Sequence, residues 1–332
     1  MLTVGLIGAG RIGRVHASTI VQDEGSQLVA VADSVDENAK NLAKLYKVNP
    51  RSVDAIFEDN SIEAILIASS TDTHSDFIEK ASKAGKAILC EKPVDLSLAR
   101  AKRCLENTKS NEHSIMMGFN RRFDPNFVAL KNALDGGEIG TAELLSITSF
   151  DPAPPPIDYV KVSGGIFKDM MIHDFDMANF LYGELPKSVF VSASAIIDKK
   201  IGALGDYDTA VATLKYRDGR LAVIKNSRRA TYGYDQRIEV LGSKGLLQVQ
   251  NMVENSMVKS TEMGVESSKP EYFFLERYKS AYQNEWTAFV TAVKTKTPMP
   301  VSLSDGIAAL AIAEAAAASA EMGSEVEIAN FL

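Results

Sequence analysis

The fold of this chain is decided by residues 4–13, which read VGLIGAGRIG. The first four residues form an apolar run typical of a buried parallel strand, and a helical pattern follows over residues 14–22. Between them lies a G-x-G-x-x-G turn. In this context Gly8 permits the tight turn, Gly10 lets the backbone approach a pyrophosphate, and Gly13 allows the helix to pack closely on the strand. The stretch therefore predicts a dinucleotide-binding Rossmann domain, with the pyrophosphate at the helix N-terminus.

The second predicted strand ends in an acidic residue. Residues 27–32 form a mainly apolar run, and Asp33 follows it, twenty residues after Gly13. A carboxylate here can accept hydrogen bonds from the adenosine ribose hydroxyls and repels a 2′-phosphate, so the sequence favours NAD over NADP. The alternative is that Asp33 caps the helix that begins near Asp36. Arg11, within the glycine turn, is interpreted as a pyrophosphate contact.

A hydroxyl-rich loop follows another predicted strand. Residues 64–68 are apolar, and residues 69–74 read SSTDTH. Ligands of open α/β sheets bind at the carboxyl ends of parallel strands, and these hydroxyls suit a ribose and a phosphate. His74 opens the next predicted helix and is interpreted equally as a packing residue or a cofactor contact. His16, one turn into the first helix, is interpreted as structural.

A charged pair closes the next strand, residues 87–90, where the chain reads Glu91-Lys92-Pro93. The simpler interpretation is a solvated loop with a surface lysine. The alternative directs Lys92 into a cleft beside the nicotinamide. Both isomers of the Lys92–Pro93 bond are compatible with the sequence.

Residues 168–176 carry a second group of polar side chains. If this segment is helical, Asp169 and His173 are spaced i and i+4 and project from one face. A carboxylate one turn from an imidazole can fix its tautomer and stabilise the imidazolium, which is a workable general-base arrangement. The alternative is a surface pair or a helix cap. Asp174 and Asp176 are expected to be solvated or to interact with the helix dipole.

Composition excludes several classes of partner. The chain has 332 residues, 45% of them hydrophobic and 24% charged, with a net charge of −7 and no basic runs. Nucleic acids and membrane surfaces are therefore not expected partners. Residues 307–320 form an apolar run too short to span a bilayer. The two cysteines, Cys90 and Cys104, are expected to be reduced structural thiols, no metal-binding motif is present, and a cytoplasmic location is expected.

The second half of the chain predicts a different architecture. Five strands are expected, at residues 142–148, 189–196, 209–216, 221–226 and 237–241. Turn sequences at residues 218–219 and 243–245 predict hairpins, and hence a large, mostly antiparallel open sheet with helices on one face. Two long helices are expected at residues 276–294 and 302–322, the last packing back on the N-terminal domain. The predicted organisation is an α/β chain with a Rossmann domain at 1–118 and an α+β domain at 119–332 for substrate binding and oligomerisation.

Taken together, six motifs resemble the Gfo/Idh/MocA family of oxidoreductases over nearly the whole chain. They are the glycine turn, residues 69–74, Glu91-Lys92-Pro93, residues 118–124 (GFNRRFD), residues 137–140 (GEIG), and Gly164-Gly165 followed by Asp169 and His173. Within the family, residues 118–124 and 232–235 (YGYD) fit the inositol 2-dehydrogenase branch. The resemblance implies NAD-dependent oxidation of a ring hydroxyl of a cyclic polyol, myo-inositol to 2-keto-myo-inositol being favoured.

The resemblance also implies a role for each matching residue. Three residues are catalytic: Lys92, Asp169 and His173. The expected NAD contacts are Gly8, Gly10, Arg11, Ile12, Gly13, Asp33, Ser69, Ser70, Thr71, His74, Glu91, Lys92 and Arg121. The expected substrate contacts are Lys92, Asn120, Asp151, Asp169, His173, Tyr232 and Tyr234. From the residues alone, Asp151 could equally cap a turn, and the two tyrosines could equally pack in the core.

Three other functions are weighed against this one. An aldose dehydrogenase would use the same catalytic residues on another sugar. A sugar-responsive regulator would bind NAD without turnover, but such members of the family tend to lack the lysine or the histidine. A glycosidase or a transfer enzyme would hold its cofactor tightly. The resemblance further implies a homo-oligomer, a tetramer or a dimer, formed through the open sheet.

Overall fold

The computed structural model describes residues Met1–Leu332, which form two compact units. The first comprises Met1–Phe123 and Ser280–Leu310, and the second comprises Asp124–Lys279 and Ala311–Leu332. The predicted division at residue 118 differs from this partition by five residues at the first crossing. It also differs in the return of residues 280–310 to the first unit.

The first unit is a doubly wound parallel sheet. Its strands are β1 Leu2–Ile7, β2 Ser26–Ala32, β3 Asn49–Pro50, β4 Ala64–Ile67, β5 Ala87–Glu91 and β6 Ile115–Gly118. They lie in the order β3-β2-β1-β4-β5-β6, and every neighbouring pair is parallel. All four residues of β4 are buried, as expected for a strand covered on both faces. The predicted Rossmann fold is confirmed.

Helices alternate with these strands. They are α1 Arg11–Gln22, α2 Asp36–Tyr46, α3 Val53–Glu58, α4 His74–Lys83 and α5 Leu98–Thr108, with 3-10 turns at Thr71–Thr73, Lys109–Ser114 and Asn120–Phe123. The first helix begins three residues earlier than predicted, directly at the glycine turn. Its buried residues, among them Gly13, His16, Ala17 and Ile20, recur at helical spacing and form the face that packs on the sheet.

The two cysteines lie in this unit as buried free thiols, as predicted. Burial raises the pKa of the Cys90 thiol well above its usual range and that of Cys104 to about 12. Both side chains therefore stay protonated near neutral pH and behave as small apolar groups.

The second unit is built on a seven-stranded mixed sheet. Its strands are β7 Ala142–Phe150, β8 Ser188–Ser194, β9 Thr209–Lys215, β10 Leu221–Ser227, β11 Asp235–Gly242 and β12 Gly245–Val249, and a separate hairpin contains β13 Val258–Thr261 and β14 Gly264–Ser267. The seventh strand of the main sheet is β15 Val326–Glu327. The order is β12-β11-β7-β10-β9-β8-β15. All neighbours are antiparallel except β7 and β10, so the predicted mostly antiparallel sheet is confirmed.

The helices after the crossover are α6 Pro125–Asp135, α7 Ile157–Ser163, α8 Ile172–Tyr182, α9 Lys199–Ala203, α10 Phe274–Arg277, α11 Lys279–Thr295 and α12 Leu303–Met322. A π-helical turn, Phe167–Met171, leads directly into α8. The single helix predicted at residues 276–294 is two helices, interrupted at Tyr278. Ser302 and Asp305 form a reciprocal capping box at the start of α12, in which each side chain accepts the backbone N–H of the other residue.

Helix α12 is the one helix long and apolar enough to cross a membrane by length and composition. The helix has 20 residues and is therefore longer than the apolar run at residues 307–320. Its length alone does not exclude a membrane span, contrary to the expectation from the sequence. However, 61% of its most apolar window is buried inside the protein, which is typical of a core helix.

Candidate active site

The glycine turn between β1 and α1 has the geometry that its sequence predicts. Gly8 has a φ of +104°, and a Cβ there would lie 2.3 Å from the carbonyl oxygen of Ala68. A Cβ on Gly13 would lie 2.0 Å from the carbonyl oxygen of Gly8, whereas Gly10 faces open space. Gly10 is also the N-cap of α1 and supplies no side-chain acceptor to the first-turn N–H groups. The turn therefore presents unshielded backbone donors, as an anion site at a helix N-terminus requires.

Asp33 braces this turn. Its Oδ2 accepts the Ala9 N–H at 2.6 Å, and its Oδ1 accepts the Val35 N–H at 2.8 Å. The N-cap of α2 is Val35, so the alternative that Asp33 caps that helix does not hold. The carboxylate is held at the carboxyl end of β2 by two backbone donors, directly beside the glycine turn.

The loop after β4 is organised by its own hydroxyls and by His74. Ser69 Oγ lies 2.7 Å from Thr73 Oγ1, which donates to the Ser70 carbonyl at 2.7 Å. The buried His74 ring contacts the carbonyl oxygens of Pro93 at 2.8 Å and Ser69 at 3.1 Å. Burial lowers the pKa of His74, which favours the neutral ring, and a neutral ring can donate to only one of these two oxygens. His74 thus ties this loop to the Glu91-Lys92-Pro93 segment.

Glu91 at the end of β5 is held from below by a histidine of α1. The Nε2 atom of His16 lies 2.7 Å from Glu91 Oε1, and both side chains are buried. Glu91 Oε2 accepts the N–H of Lys92 at 3.3 Å, and the Lys92–Pro93 bond is cis. Both carboxylate oxygens therefore contact protein groups, and a contact between Glu91 and a cofactor stays a prediction. The pairing of His16 with Glu91 was not predicted.

The second unit contains Asp169 and His173. Asp169 lies in the π-helical turn and His173 in the first turn of α8, so they are about one turn apart although the segment is not a regular α-helix. Asp169 Oδ1 accepts the hydroxyl of Tyr159 at 2.8 Å, and Oδ2 lies 3.5 Å from Arg228 Nη1. Only 15% of the Asp169 side chain is exposed. The carboxylate is therefore held by groups from two other elements.

Comparison with known proteins decides the family. Residues 2–119 match the oxidoreductase family with an NAD-binding Rossmann fold, and residues 127–248 match the Gfo/Idh/MocA C-terminal domain. The chain belongs to the Gfo/Idh/MocA family of oxidoreductases.

Members of this family with similar sequences are known over the full length. The inositol 2-dehydrogenase of Rhizobium meliloti strain 1021 is 48% identical, and the myo-inositol 2-dehydrogenase of Thermotoga maritima is 45% identical, each over 98% of both chains. A crystal structure of scyllo-inositol dehydrogenase from Lactobacillus casei with bound NAD(H) and scyllo-inositol has a TM-score of 0.92 and 27% identity, over 99% of both chains.

The protein is thus an NAD-dependent dehydrogenase of CH–OH groups, as the resemblance implied. The residues present fit NAD, because the glycine turn offers uncapped N–H donors and Asp33 lies beside it. Individual contacts to NAD, from the glycine turn through Arg121, stay predictions.

Other predicted contacts of this oxidoreductase lie in varied surroundings. Asn120 and Arg121 are buried in the 3-10 turn after β6, and Asp151 is half-buried at the end of β7. Tyr232 is 47% exposed and donates its hydroxyl to Asp235 at 2.6 Å. Tyr234 is buried and packs edge-on against Phe273 and Tyr278, which is the aromatic packing left open by the sequence. Of the two tyrosines, Tyr232 has the more accessible ring.

One of the two interpretations of Asp174 and Asp176, that they are solvated, is wrong, whereas Asp174 does lie in the first turn of α8, where a carboxylate interacts favourably with the helix dipole. Asp174 and Asp176 are buried, with 0% and 1% of each residue exposed, and are not solvated. Asp174 accepts the Ser149 hydroxyl at 2.6 Å and the Asn226 side-chain amide at 2.7 Å, from β7 and β10. A buried carboxylate is tolerated here because both oxygens accept hydrogen bonds from neutral donors. These bonds fix α8, and hence His173, on the sheet.

A second buried carboxyl group, which was not predicted from the sequence, lies near Glu91. Glu285 of α11 is 0% exposed, and neither of its oxygens has a hydrogen-bond partner. Burial raises the pKa of the Glu285 carboxyl well above its usual range, and the nearby Glu91 carboxylate adds to the effect. The protonated, neutral form of Glu285 is therefore favoured.

Glu285→Gln should therefore stabilise the protein increasingly as the pH rises. With a raised folded-state pKa, Glu285 binds more protons folded than unfolded above pH about 4.3, so stability falls with pH by up to about 1.4 kcal/mol per unit. Glutamine removes this titration. Thermal denaturation between about pH 5 and 8 should show a gap in Tm that widens in favour of E285Q. The exposed Glu276→Gln is the control, and a constant gap would contradict a protonated Glu285.

Proposed function

We propose that the protein oxidises a ring hydroxyl of myo-inositol to the ketone, 2-keto-myo-inositol, with reduction of NAD. The observation that carries this proposal is the full-length similarity to inositol 2-dehydrogenases at 48% and 45% identity. The solved scyllo-inositol dehydrogenase, with NAD(H) and scyllo-inositol bound, supports the same class of substrate over the same fold.

The proposed chemistry assigns one task to each catalytic residue. NAD, when bound, accepts the hydride of the carbinol carbon at nicotinamide C4. His173 takes the hydroxyl proton as the carbonyl forms, and the Asp169 carboxylate stabilises the resulting imidazolium. The ammonium of Lys92 stabilises the negative charge that develops on the reacting oxygen. The substrate thus loses one hydride to the cofactor and one proton to His173, which leaves the ketone.

The experiment that tests this function measures NADH formation over a panel of polyols. The panel contains myo-inositol, scyllo-inositol, chiro-inositol, glucose and xylose, each with NAD and separately with NADP. The expected result is the highest kcat/KM with NAD and myo-inositol. Product analysis should give the 2-ketone.

Each other outcome of the panel is informative. Turnover of pyranoses alone would move the substrate to an aldose and overturn the inositol assignment. Binding of NAD without turnover of any polyol would favour a regulator. A cofactor that stays bound through purification and turns over without net consumption of NAD would favour the glycosidase or transfer reaction.

We further propose that the protein is a homo-oligomer that associates through the seven-stranded sheet. Four leucines occupy paired positions on neighbouring strands of that sheet: Leu221, Leu144, Leu241 and Leu246. Paired residues share a face of a sheet, and each of the four is 38% to 46% exposed. A contiguous exposed apolar row of this kind is typical of a protein–protein interface, and a second copy of the chain is the proposed occupant.

Leu241→Lys should shift the protein towards a monomer, because a charge would have to be buried in the apolar row. Sedimentation velocity measures the mass directly. Leu45→Lys is the matched control, since Leu45 is an exposed leucine of α2. An unchanged mass for L241K, or a monomeric wild type, would contradict this interface. The tetramer is the expected assembly.

A cytoplasmic location is proposed on the two buried free thiols, which suit a reducing compartment. Cell fractionation tests it, and recovery of the protein outside the cytoplasm would overturn it.

A further inference from the structure

A buried arginine connects Asp169 to a second carboxylate. Arg228 follows β10 directly and is 1% exposed, and its backbone N–H donates to the Asp208 carbonyl at 2.8 Å. Its Nη1 lies 3.5 Å from Asp169 Oδ2, and its Nη2 lies 3.8 Å from Asp206 Oδ2. The guanidinium therefore lies between two acidic side chains, one of which is a proposed catalytic residue.

Asp206 in turn contacts the backbone just before the π-helical turn that contains Asp169. Its Oδ1 accepts the N–H of Ile166 at 2.9 Å, immediately before the π-helical turn. Gly165 makes this approach possible, because a Cβ there would lie 2.7 Å from Asp206 Oδ1, and its φ is +79°. One carboxylate thus contacts both the backbone leading to Asp169 and the arginine that faces Asp169.

The arrangement is not explained by stability alone. A guanidinium buried to this degree is costly unless it is paired and fully hydrogen-bonded. Here Nε and Nη2 of Arg228, and Oδ2 of Asp206, have no hydrogen-bond partner. Arg228 is therefore held mainly by the charges of two carboxylates. A charge retained under such conditions points to an electrostatic role at Asp169.

We propose that Arg228 and Asp206 are positioning residues for the dehydrogenase reaction: Arg228 holds the Asp169 carboxylate in place, and Asp206 anchors Arg228. The inference rests on the proposed function. Arg228 acts on His173 through Asp169, so it sets the pH range in which the imidazole is a neutral base.

The charges around Asp169 determine the sign of each effect. Within this unit, Asp169 contacts the Tyr159 hydroxyl of α7 and Arg228, which follows β10. Asp206 lies on the other side of Arg228, and His173 lies about one turn further along the chain. The adjacent Lys168 is paired with Glu314 of α12 at 2.8 Å. Loss of the Arg228 charge leaves the negative charges of Asp169 and Asp206 without a nearby compensating cation, which favours an imidazolium at His173. Loss of the Asp206 charge should disfavour the imidazolium at His173. It removes one negative charge, and the positive charge of Arg228 is then compensated by Asp169 only.

The test compares pH profiles of kcat for three variants. Arg228→Gln should lower kcat roughly ten- to a hundredfold and move the acid limb of the profile to higher pH by about 1 unit. Arg228→Lys should recover the position of the limb more than the rate, since it restores the charge without the planar fork. Arg229→Gln is the matched control, because the neighbouring Arg229 is exposed. An acid limb unmoved in R228Q would overturn the proposal and leave only a structural role.

Asp206→Asn provides a milder second variant, since asparagine can still accept the Ile166 N–H. Its acid limb should move to lower pH, and a shift to higher pH would overturn the proposal even if R228Q fails to fold. The pKa of the His173 ring, followed by NMR, should rise in R228Q and fall in D206N. With four histidines in the chain, His173→Gln identifies the resonance. This readout needs no turnover, so failure of the proposed function, seen as an inactive wild type, is distinct from failure of this inference.

Discussion

Replacing His173 by alanine is expected to lower kcat for inositol oxidation by at least about a hundredfold, the contribution typical of a positioned general base. The affinity for NAD should be nearly unchanged, because the predicted NAD contacts lie in the first unit of the chain. Steady-state assays of NADH formation give kcat, and NADH fluorescence gives the binding constant. His113→Ala is the control, since His113 is an exposed histidine of the first unit. Turnover like that of the wild type in H173A would contradict the role of His173.

The pH dependence of the same variant separates a lost base from a lost fold. In the wild type, oxidation requires the neutral imidazole, so kcat should fall as His173 becomes protonated at low pH. In H173A the residual rate should lose this limb and rise with hydroxide or with added imidazole. A variant that is merely misfolded would keep the wild-type profile at a lower amplitude. The comparison therefore assigns the limb to His173 independently of the size of the effect.

The glycine turn and the position of Asp33 could be predicted from the sequence because their determinants are local. The turn at Gly8 and Gly13 is set by contacts within about one turn of chain and with the neighbouring strand. Asp33 directly follows β2, the strand that pairs with β1, so its position follows from the parallel register. In this part of the chain, the number of residues between two positions determines how far apart they lie in the fold. A sequence motif is therefore sufficient to predict the local structure.

The second unit was less predictable. The residue pattern of a strand indicates which of its faces is buried, but it does not indicate which other strand pairs with it. The strand-like segments at residues 142–148 and 221–226 identified β7 and β10, yet the parallel pairing of these two strands is a long-range contact that hairpin turn sequences do not predict. The interpretation of Asp174 as solvated is wrong for the same reason. Its buried partners, Ser149 and Asn226, are 25 and 52 residues distant in sequence, so nothing local marks the carboxylate as satisfied.

The burial of Glu285 was not predicted, although the residue pattern of α11 indicates it. In α11 the buried residues Ala281, Tyr282, Trp286 and Phe289 recur at helical spacing, and Glu285 falls on the same face. A carboxylate on an apolar stripe predicts a protonated or paired group. The pairing of His16 with Glu91 could have been suspected on the same ground, because His16 lies on the buried face of α1.

Asp33→Ala is expected to change the cofactor preference by about a hundredfold in the ratio of kcat/KM for NAD over NADP. An ionised acceptor contributes about 1.5–3 kcal/mol to each hydrogen bond, and 2.7 kcal/mol corresponds to about a hundredfold. Alanine removes the acceptor for the ribose hydroxyls and the negative charge that would repel a 2′-phosphate. Kinetics with both cofactors at saturating myo-inositol give the ratio.

The bond from Ala9 to Asp33 complicates that variant, because alanine also removes a brace of the glycine turn. Asp33→Asn separates the two effects, since the amide oxygen can still accept the Ala9 N–H while the charge is lost. If repulsion decides the preference, D33N should gain NADP-dependent activity with a smaller loss of NAD-dependent activity than D33A. Asp36→Ala is the control, because Asp36 is an exposed acid of the same loop and helix. An unaltered ratio in both D33A and D33N would show that Asp33 braces the turn and does not select NAD.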